Sequence, residues 1–276
     1  MKKYFRFIKI EHTLFSLPLI YAGVFLAAER VPSIELLALV LLAATGARTA
    51  AMTLNRIIDA EIDKRNFRTQ TREIPAGRMS ISEAGGVLLV GLMLYFGAAY
   101  LISWFCFILS PIPLIIFIVY PYAKRFTALA HFGVGLGLSM APLGGWFAIK
   151  GGLQNILPGA MISLFTLFWA TGFDVIYSTL DEKFDIEAGL FSFPSRFGSK
   201  KALIISSALH VLAFGTLILL FLLSINNLWA LPFLLLSGIL LYLEQKKSAD
   251  VEMAFFKINA VIGFDVLAMV LMKGIS

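Results

Sequence analysis

Long apolar runs, each closed off by charged or turn-forming residues, dominate the chain. Nine are separable, at roughly residues 14 to 28, 34 to 57, 84 to 103, 105 to 122, 128 to 149, 157 to 177, 203 to 223, 227 to 243 and 253 to 272. Each is long enough, or nearly so, to cross a bilayer as a helix. Helix is the expected form because a polar backbone finds no water in hydrocarbon, and the alternating pattern of a membrane barrel is absent. Only a turn near Trp104 parts the third run from the fourth. The pattern predicts an all-α, polytopic membrane protein with nine transmembrane helices in one domain over residues 1–276.

Composition agrees. Of 276 residues 59% are hydrophobic and 14% charged, and the mean hydropathy is +0.86. A soluble domain of this length is nearer half apolar and a quarter charged, so the chain carries more oily surface than one core can hide. A secreted disulfide scaffold, a disordered regulator and most cytosolic folds are thereby excluded. Cys106, the one cysteine, permits neither an intrachain disulfide nor a thiolate metal cage.

The 23 Lys and Arg outnumber the 17 Asp and Glu, a balance that nucleic acid would suit, but their placement points to the lipid bilayer instead. Arg30, Lys150 and Lys273 fall on one side of the expected topology. The others cluster at Lys2 to Lys9, from Arg48 to Arg78, at Lys124 and Arg125, from Lys183 to Lys201 and from Lys246 to Lys257. Charge in alternate loops predicts a cytoplasmic N-terminus, and no nucleic-acid partner is expected. Trp104, Trp146 and Trp229 fall on the charge-poor side, where an interfacial belt would place them. The basic residues ahead of the first run imitate a secretory leader, but the charged Lys9-Ile10-Glu11-His12 flows into a run holding Pro18, and no cleavage is expected.

Two loops on the basic side are more acidic than topology requires. After the second run comes Asn55, Asp59 and Asp63, four residues apart, so an amide and two carboxylates share one helix face. After the sixth come Asp174, Asp181 and Asp185, which also return to nearly one azimuth, with Tyr177 beside them. Carboxylates facing one another repel, so the arrangement makes sense mainly around divalent cations. Oxygen ligands point to Mg²⁺, which completes its shell with water and phosphate oxygens. Basic residues suited to a phosphorylated ligand stand nearby: Arg68, Arg72 and Lys124. A single D-x-x-x-D is usually solvated helix surface. Two, at matched places four runs apart, favour function over that bland reading. Arg48 and Asp174 add weight, since each lies inside an apolar run where an ionisable group is expensive. Arg48, two turns deeper than Asn55, is placed to meet the carboxylate of an acceptor.

Other residues read more plainly. His12, His131 and His210 share no ligand spacing and are expected to pack or sit at interfaces, and Cys106 to fill apolar space. Asp265 is expected to pair with a neighbouring helix. Gly133, Gly135, Gly137, Gly144 and Gly145, with Pro142, suit close helix packing. Most of the 25 Phe belong to the core or face lipid, and a few suit the wall of an isoprenoid pocket.

The segment from Asn55 to Arg72, with the following Pro75-Ala76-Gly77-Arg78, resembles the first signature of the UbiA superfamily of intramembrane prenyltransferases. Asp174 to Asp185, followed by Gly189 and Ser195-Arg196-Phe197-Gly198, resembles the second. The likeness runs from Lys9-Ile10-Glu11-His12-Thr13-Leu14 through Pro121-Tyr122-Ala123-Lys124-Arg125 to the ninth run. It is nearest to the 4-hydroxybenzoate polyprenyltransferase branch and its relative in the futalosine route to menaquinone. The resemblance implies a helical bundle with a central cavity, open sideways to lipid for a long tail. It implies that Asn55, Asp59 and Asp63 hold one Mg²⁺ and that Asp181 and Asp185 hold another. Arg68, Arg72 and Lys124 would grip the diphosphate of a polyprenyl diphosphate, and Arg48, Asp174 and Tyr177 would lie near a small aromatic acceptor or the ionising carbon. One departure is Phe67 in Asn66-Phe67-Arg68-Thr69, where relatives usually carry proline. The expected location is a bacterial or archaeal inner membrane, with the site at the cytoplasmic face. A cation-coupled transporter is the rival from another class, but transporters place such charges near the bilayer midplane rather than at one face.

Overall fold

The structure is a computed structural model that describes residues 2–9, 13–251 and 257–274, and its described regular structure is entirely helical. His12 lies outside the described residues, as does the start of the ninth apolar run. A short α1 (Lys2–Phe7) leads to α2 (Thr13–Ala27), α3 (Ile34–Ile58) and a brief α4 (Ala60–Arg65). Then come α5 (Ile81–Ile102), α6 (Trp104–Leu109), α7 (Pro111–Ala123), α8 (Ala130–Lys150) and α9 (Leu157–Ser178). The chain closes with α10 (Glu182–Glu187), α11 (Phe193–Phe197), α12 (Ser199–Leu220), α13 (Leu231–Lys246) and α14 (Asn259–Leu271).

Among the described residues, 7 stretches are long and apolar enough to cross a membrane, and they correspond to the second through eighth runs. The first and ninth runs yield shorter helices, of 15 residues in α2 and 13 in α14. Local chemistry sets the boundaries. The Ser33 hydroxyl accepts from the Leu36 N–H to start α3, and Ser80 with Glu83 forms a reciprocal capping box at α5. The turn near Trp104 is confirmed: α5 stops at Ile102, and Ser103 then caps α6 through the Cys106 N–H.

Among the seven stretches long enough to cross, the one built on α9 is the most enclosed, 67% buried against 17% for that of α5. Phe165, Trp169 and Phe173 of α9 form a core with Leu19 and Leu26 of α2, Leu217 of α12 and Val266 and Met269 of α14. Leu89, Val90, Met93, Val211, Leu222 and Leu223 face outward from the bundle, as lipid contact requires. Of the three tryptophans expected in a belt, Trp104 and Trp229 are exposed, whereas Trp146 is buried and has no place in one. Its ring closes over Gly159, where a Cβ would come within 2.7 Å. At that end of the bundle Lys150 pairs with Glu29 at 3.1 Å, and Lys273 donates to the Leu26 carbonyl at 2.9 Å.

Of the α8 glycines, Gly133, Gly135 and Gly145 serve close packing, whereas Gly137 has only ordinary contact and Gly144 has nothing within 4 Å. A Cβ on Gly145 would lie 2.2 Å from the Ile20 carbonyl oxygen, and one on Gly23 of α2 would lie 2.0 Å from that of Pro142. Backbone thus meets backbone, and neither side can yield. Asp265 also behaves as expected, accepting from Ser237 of α13 at 2.6 Å. Gly145→Ala is expected to destabilise the detergent-solubilised protein by about 1–3 kcal/mol. Gly85→Ala, with nothing within 4 Å, is expected to be neutral or stabilising by up to about 1 kcal/mol. Thermal unfolding of both variants checks the contrast.

Candidate active site

The first acidic motif lies where α3 gives out. The helix stops at Ile58, Asp59 leaves helical geometry at φ −94° and ψ 3°, and α4 restarts at Ala60. The regular helix is therefore interrupted at Asp59, yet bonding four residues back continues through it: the Asp59 N–H reaches the Asn55 carbonyl at 3.0 Å and the Asp63 N–H the Asp59 carbonyl at 2.8 Å. Asn55 still reaches Asp59, donating from Nδ2 to Oδ2 at 3.1 Å. Each buried carboxylate then meets a cation from a different segment. Lys124, which caps α7, donates to Asp59 Oδ2 at 2.7 Å, while Arg72 grips both oxygens of Asp63 at 2.8 and 2.7 Å. The Arg125 guanidinium stands 3.6 Å from Asp59 Oδ1, which itself makes no hydrogen bond among the described residues. Burial pushes the Asp59 carboxyl above the usual aspartate range, with Lys124 pulling against it.

The second motif likewise crosses an interruption, a tight turn over Thr179–Asp181 between α9 and α10, within one helical stretch that runs from Leu157 to Glu187. The loop after the first motif closes onto this turn. Asn66 Nδ2 donates to Asp181 Oδ1 at 2.8 Å and Arg68 Nε to the same oxygen at 2.9 Å. A second guanidinium nitrogen of Arg68 bonds Asp181 Oδ2, making the pair bidentate. Arg68 Nη1 also donates to the Tyr177 hydroxyl at 2.6 Å, with its guanidinium 4.8 Å from the ring centre. Burial works against the Arg68 charge, but Asp181 and Tyr177 outweigh it and hold the guanidinium above its ordinary range. Segments more than a hundred residues apart in sequence thus form one charged layer. Phe67, the departure from the family pattern, is 88% exposed and takes no part.

Within the bundle lies a cavity of about 360 Å³, walled by small and apolar side chains of α3, α5, α7 and α8. Ala43, Ala47 and Ala51 of α3 line one side, Gly133, Gly137 and Gly144 of α8 another, with Phe117, Phe147 and Phe173 among the aromatics. Arg48, Tyr120 and Asp174 bring polar chemistry to it, and Cys106 is part of its wall. The packing role expected of His131 needs correcting. Its Nδ1 lies 2.7 Å from Asp174 Oδ2. His210 is buried as expected, with Gln245 at 2.8 Å.

A second opening, of about 500 Å³, adjoins Arg68, Arg72 and Tyr177 and is also lined by Arg6, Lys9, Arg56, Arg78 and Glu73. Glu73 accepts from Arg6 at 2.7 Å and faces Arg78 at 3.7 Å. Arg56 is only 4% exposed, and its Nε and Nη1 make no hydrogen bond among the described residues. Sequence reasoning missed Arg56, although its place inside the Asn55–Asp59 spacing marked it. It missed Asn66 too, which no periodicity singles out.

No group of three or more His, Cys, Asp or Glu among the described residues forms a ready metal cage. A chelating cluster is not what Mg²⁺ needs, since one or two carboxylates with water and phosphate oxygens suffice. The oxygen-only donors here, and the buried Asp59 Oδ1 without a hydrogen bond among the described residues, fit such an ion.

A sequence profile described as the UbiA prenyltransferase family matches residues 16–261. The 4-hydroxybenzoate octaprenyltransferase of Francisella tularensis subsp. novicida (strain U112) is 28% identical over 205 residues, 72% of this chain and 71% of that protein. The apo structure of a UbiA homolog from Aeropyrum pernix K1 aligns with TM-score 0.88 at 32% identity, covering 95% of this chain and 98% of that one. A UbiA homolog from Archaeoglobus fulgidus bound to GPP and Mg²⁺ shares the fold at TM-score 0.76 and 20% identity, covering 98% of this chain and 99% of that one.

The Arg68–Asp181 contact bridges the two motifs, so its strength is open to measurement. A double-mutant cycle of Arg68→Ala and Asp181→Ala, read by unfolding without divalent metal, is expected to return a coupling of about 1.5–3 kcal/mol. A value near zero would mean that the two loops are held together by other contacts.

Proposed function

The chain belongs to the UbiA prenyltransferase family, and we propose that it transfers a polyprenyl group from a polyprenyl diphosphate to a small aromatic acid, with 4-hydroxybenzoate the first candidate acceptor. The observation that carries this reading is the single charged layer in which Asn66 and Arg68 of one motif bind Asp181 of the other, with an apolar cavity lined by Arg48 and Asp174 in the same bundle. A phosphorylated head and an oily tail need those two environments side by side. The mitochondrial 4-hydroxybenzoate polyprenyltransferase of Caenorhabditis elegans, 33% identical over 173 residues, supports the choice of acceptor. A dihydroxynaphthoate of menaquinone synthesis is the alternative. In the proposed topology all nine apolar runs cross an inner membrane of a bacterial or archaeal cell, the N-terminus is cytoplasmic, and the charged layer faces the cytoplasm.

Asn55, Asp59 and Asp63 would hold one Mg²⁺, and Asp181 with Asp185 a second. Bound there, the metal supplies Lewis-acid neutralisation of the leaving diphosphate. Arg68, Arg72 and Lys124, now paired with those aspartates, offer the same donors to phosphate oxygens and oppose the charge that develops as the allylic C–O bond breaks. Tyr177, bonded to Arg68, orients that guanidinium at the reacting end. Arg48 receives the carboxylate of the acceptor, and Asp174 accepts the proton that the ring releases. Small and apolar walls keep water from the allylic cation.

Incubation of membranes with labelled polyprenyl diphosphate, Mg²⁺ and a panel of aromatic acids tests the reading. One acid is expected to be prenylated, with activity lost on chelation and reduced at least about a hundredfold in Asp59→Ala and Asp181→Ala. Wild-type rates in either variant at saturating Mg²⁺ would refute the metal assignment. Substrate flux in sealed vesicles without product would favour a transporter.

A further inference from the structure

The contact between His131 and Asp174 contains more than a distance. His131 Nδ1 lies 2.7 Å from Asp174 Oδ2, while the Phe193 backbone N–H donates to His131 Nε2 at 3.3 Å. A backbone N–H can only donate, so Nε2 is the bare nitrogen of the ring and the proton sits on Nδ1, directed at the carboxylate. A doubly protonated ring would set one N–H against another at Phe193. The ring is also held in plane: it stacks on the Phe193 ring, centroids 5.3 Å apart and 21° from parallel, and His131 is 6% exposed. Phe193 in turn opens α11, where Ser192 forms a capping box with Ser195. The preceding Phe191 N–H bonds the Lys124 carbonyl at 2.7 Å. The loop that follows the second motif therefore fixes both the tautomer of His131 and the backbone of Lys124.

We propose that His131 is a positioning residue for proton removal by Asp174. It rests on the prenyl-transfer reading above. Through Nδ1–H it orients the Asp174 carboxylate at the cavity that Asp174 lines, engaging one oxygen and leaving the other to the acceptor. In the step it serves, the allylic C–O bond breaks with its electron pair leaving on the diphosphate, a ring carbon of the acceptor forms the new C–C bond, and the proton displaced from that carbon goes to Asp174. His131 stays neutral throughout and exchanges no proton; its task is geometric.

Substitutions separate the two ring nitrogens. His131→Asn keeps an amide donor near the place of Nδ1, whereas His131→Gln extends its amide toward the place of Nε2 and withdraws the donor from Asp174. In membranes, His131→Gln and His131→Leu are expected to lower kcat about a hundredfold, with KM for the polyprenyl diphosphate within about twofold of wild type, and His131→Asn to recover most of that loss. Equal losses in all three, in step with their loss of thermal stability, would overturn the proposal, as would wild-type kcat in His131→Gln. A second measurement does not depend on turnover: ¹⁵N spectra of histidine-labelled protein should show a Nδ1–H tautomer that disappears in His131→Asn. A Nε2–H tautomer or an imidazolium at that signal would also overturn it. If wild-type protein prenylates no acceptor while the Nδ1–H signal is present, the functional reading fails and the His131–Asp174 bond stands.

Discussion

Carboxylates crowded at the end of an apolar bundle repel one another unless cations are interleaved with them, and this chain supplies those cations from its own loops. Lys124 meets Asp59, Arg72 meets Asp63 and Arg68 meets Asp181, each carboxylate being largely withdrawn from solvent. Breaking one such pair by removing a partner leaves a buried charge without compensation, a far larger penalty than loss of an exposed ion pair. The layer is therefore a fold determinant as well as chemistry. It fastens the loop after α4 to the turn after α9, with groups for which a diphosphate and divalent metal would compete in the proposed reaction.

In the proposed reaction that competition would give the layer two balanced states from one set of side chains. Without ligand, arginine and lysine neutralise aspartate; with ligand, phosphate oxygens would take the cations and the metal would take the carboxylates. The buried Arg56, two of whose nitrogens make no hydrogen bond among the described residues, biases the neighbourhood toward anions.

Most of the fold was legible in the sequence because hydrocarbon imposes a coarse rule. Seven of the nine apolar runs appear as helices long enough to cross, and the turn at Trp104 falls where expected. The motifs were legible as well, since Asn55, Asp59 and Asp63 stand out against apolar surroundings. Hidden were the features that depend on partners distant along the chain. Helical periodicity carries Asp59 and Asp181 smoothly along their helices and does not reveal the interruptions at those residues. His131 looked like packing because its partner is 43 positions away and the N–H that fixes its tautomer is 62 away. Trp146 looked interfacial because neither composition nor position reveals that Gly159 leaves room for its ring.

The contacts of Gly23 with Pro142 and of Gly145 with Ile20 weld α2 to α8 along one flank of the cavity. On the other flank α5 and the Trp104–Ala123 stretch are each only 17% buried, wrapped by whatever surrounds the protein rather than by more protein. Backbone also meets backbone on that flank, where a Cβ on Gly46 of α3 would lie 2.5 Å from the Tyr95 nitrogen of α5, so the chamber is braced on both sides. Room for a guest is therefore set by the side chains that line it and not by a parting of helices.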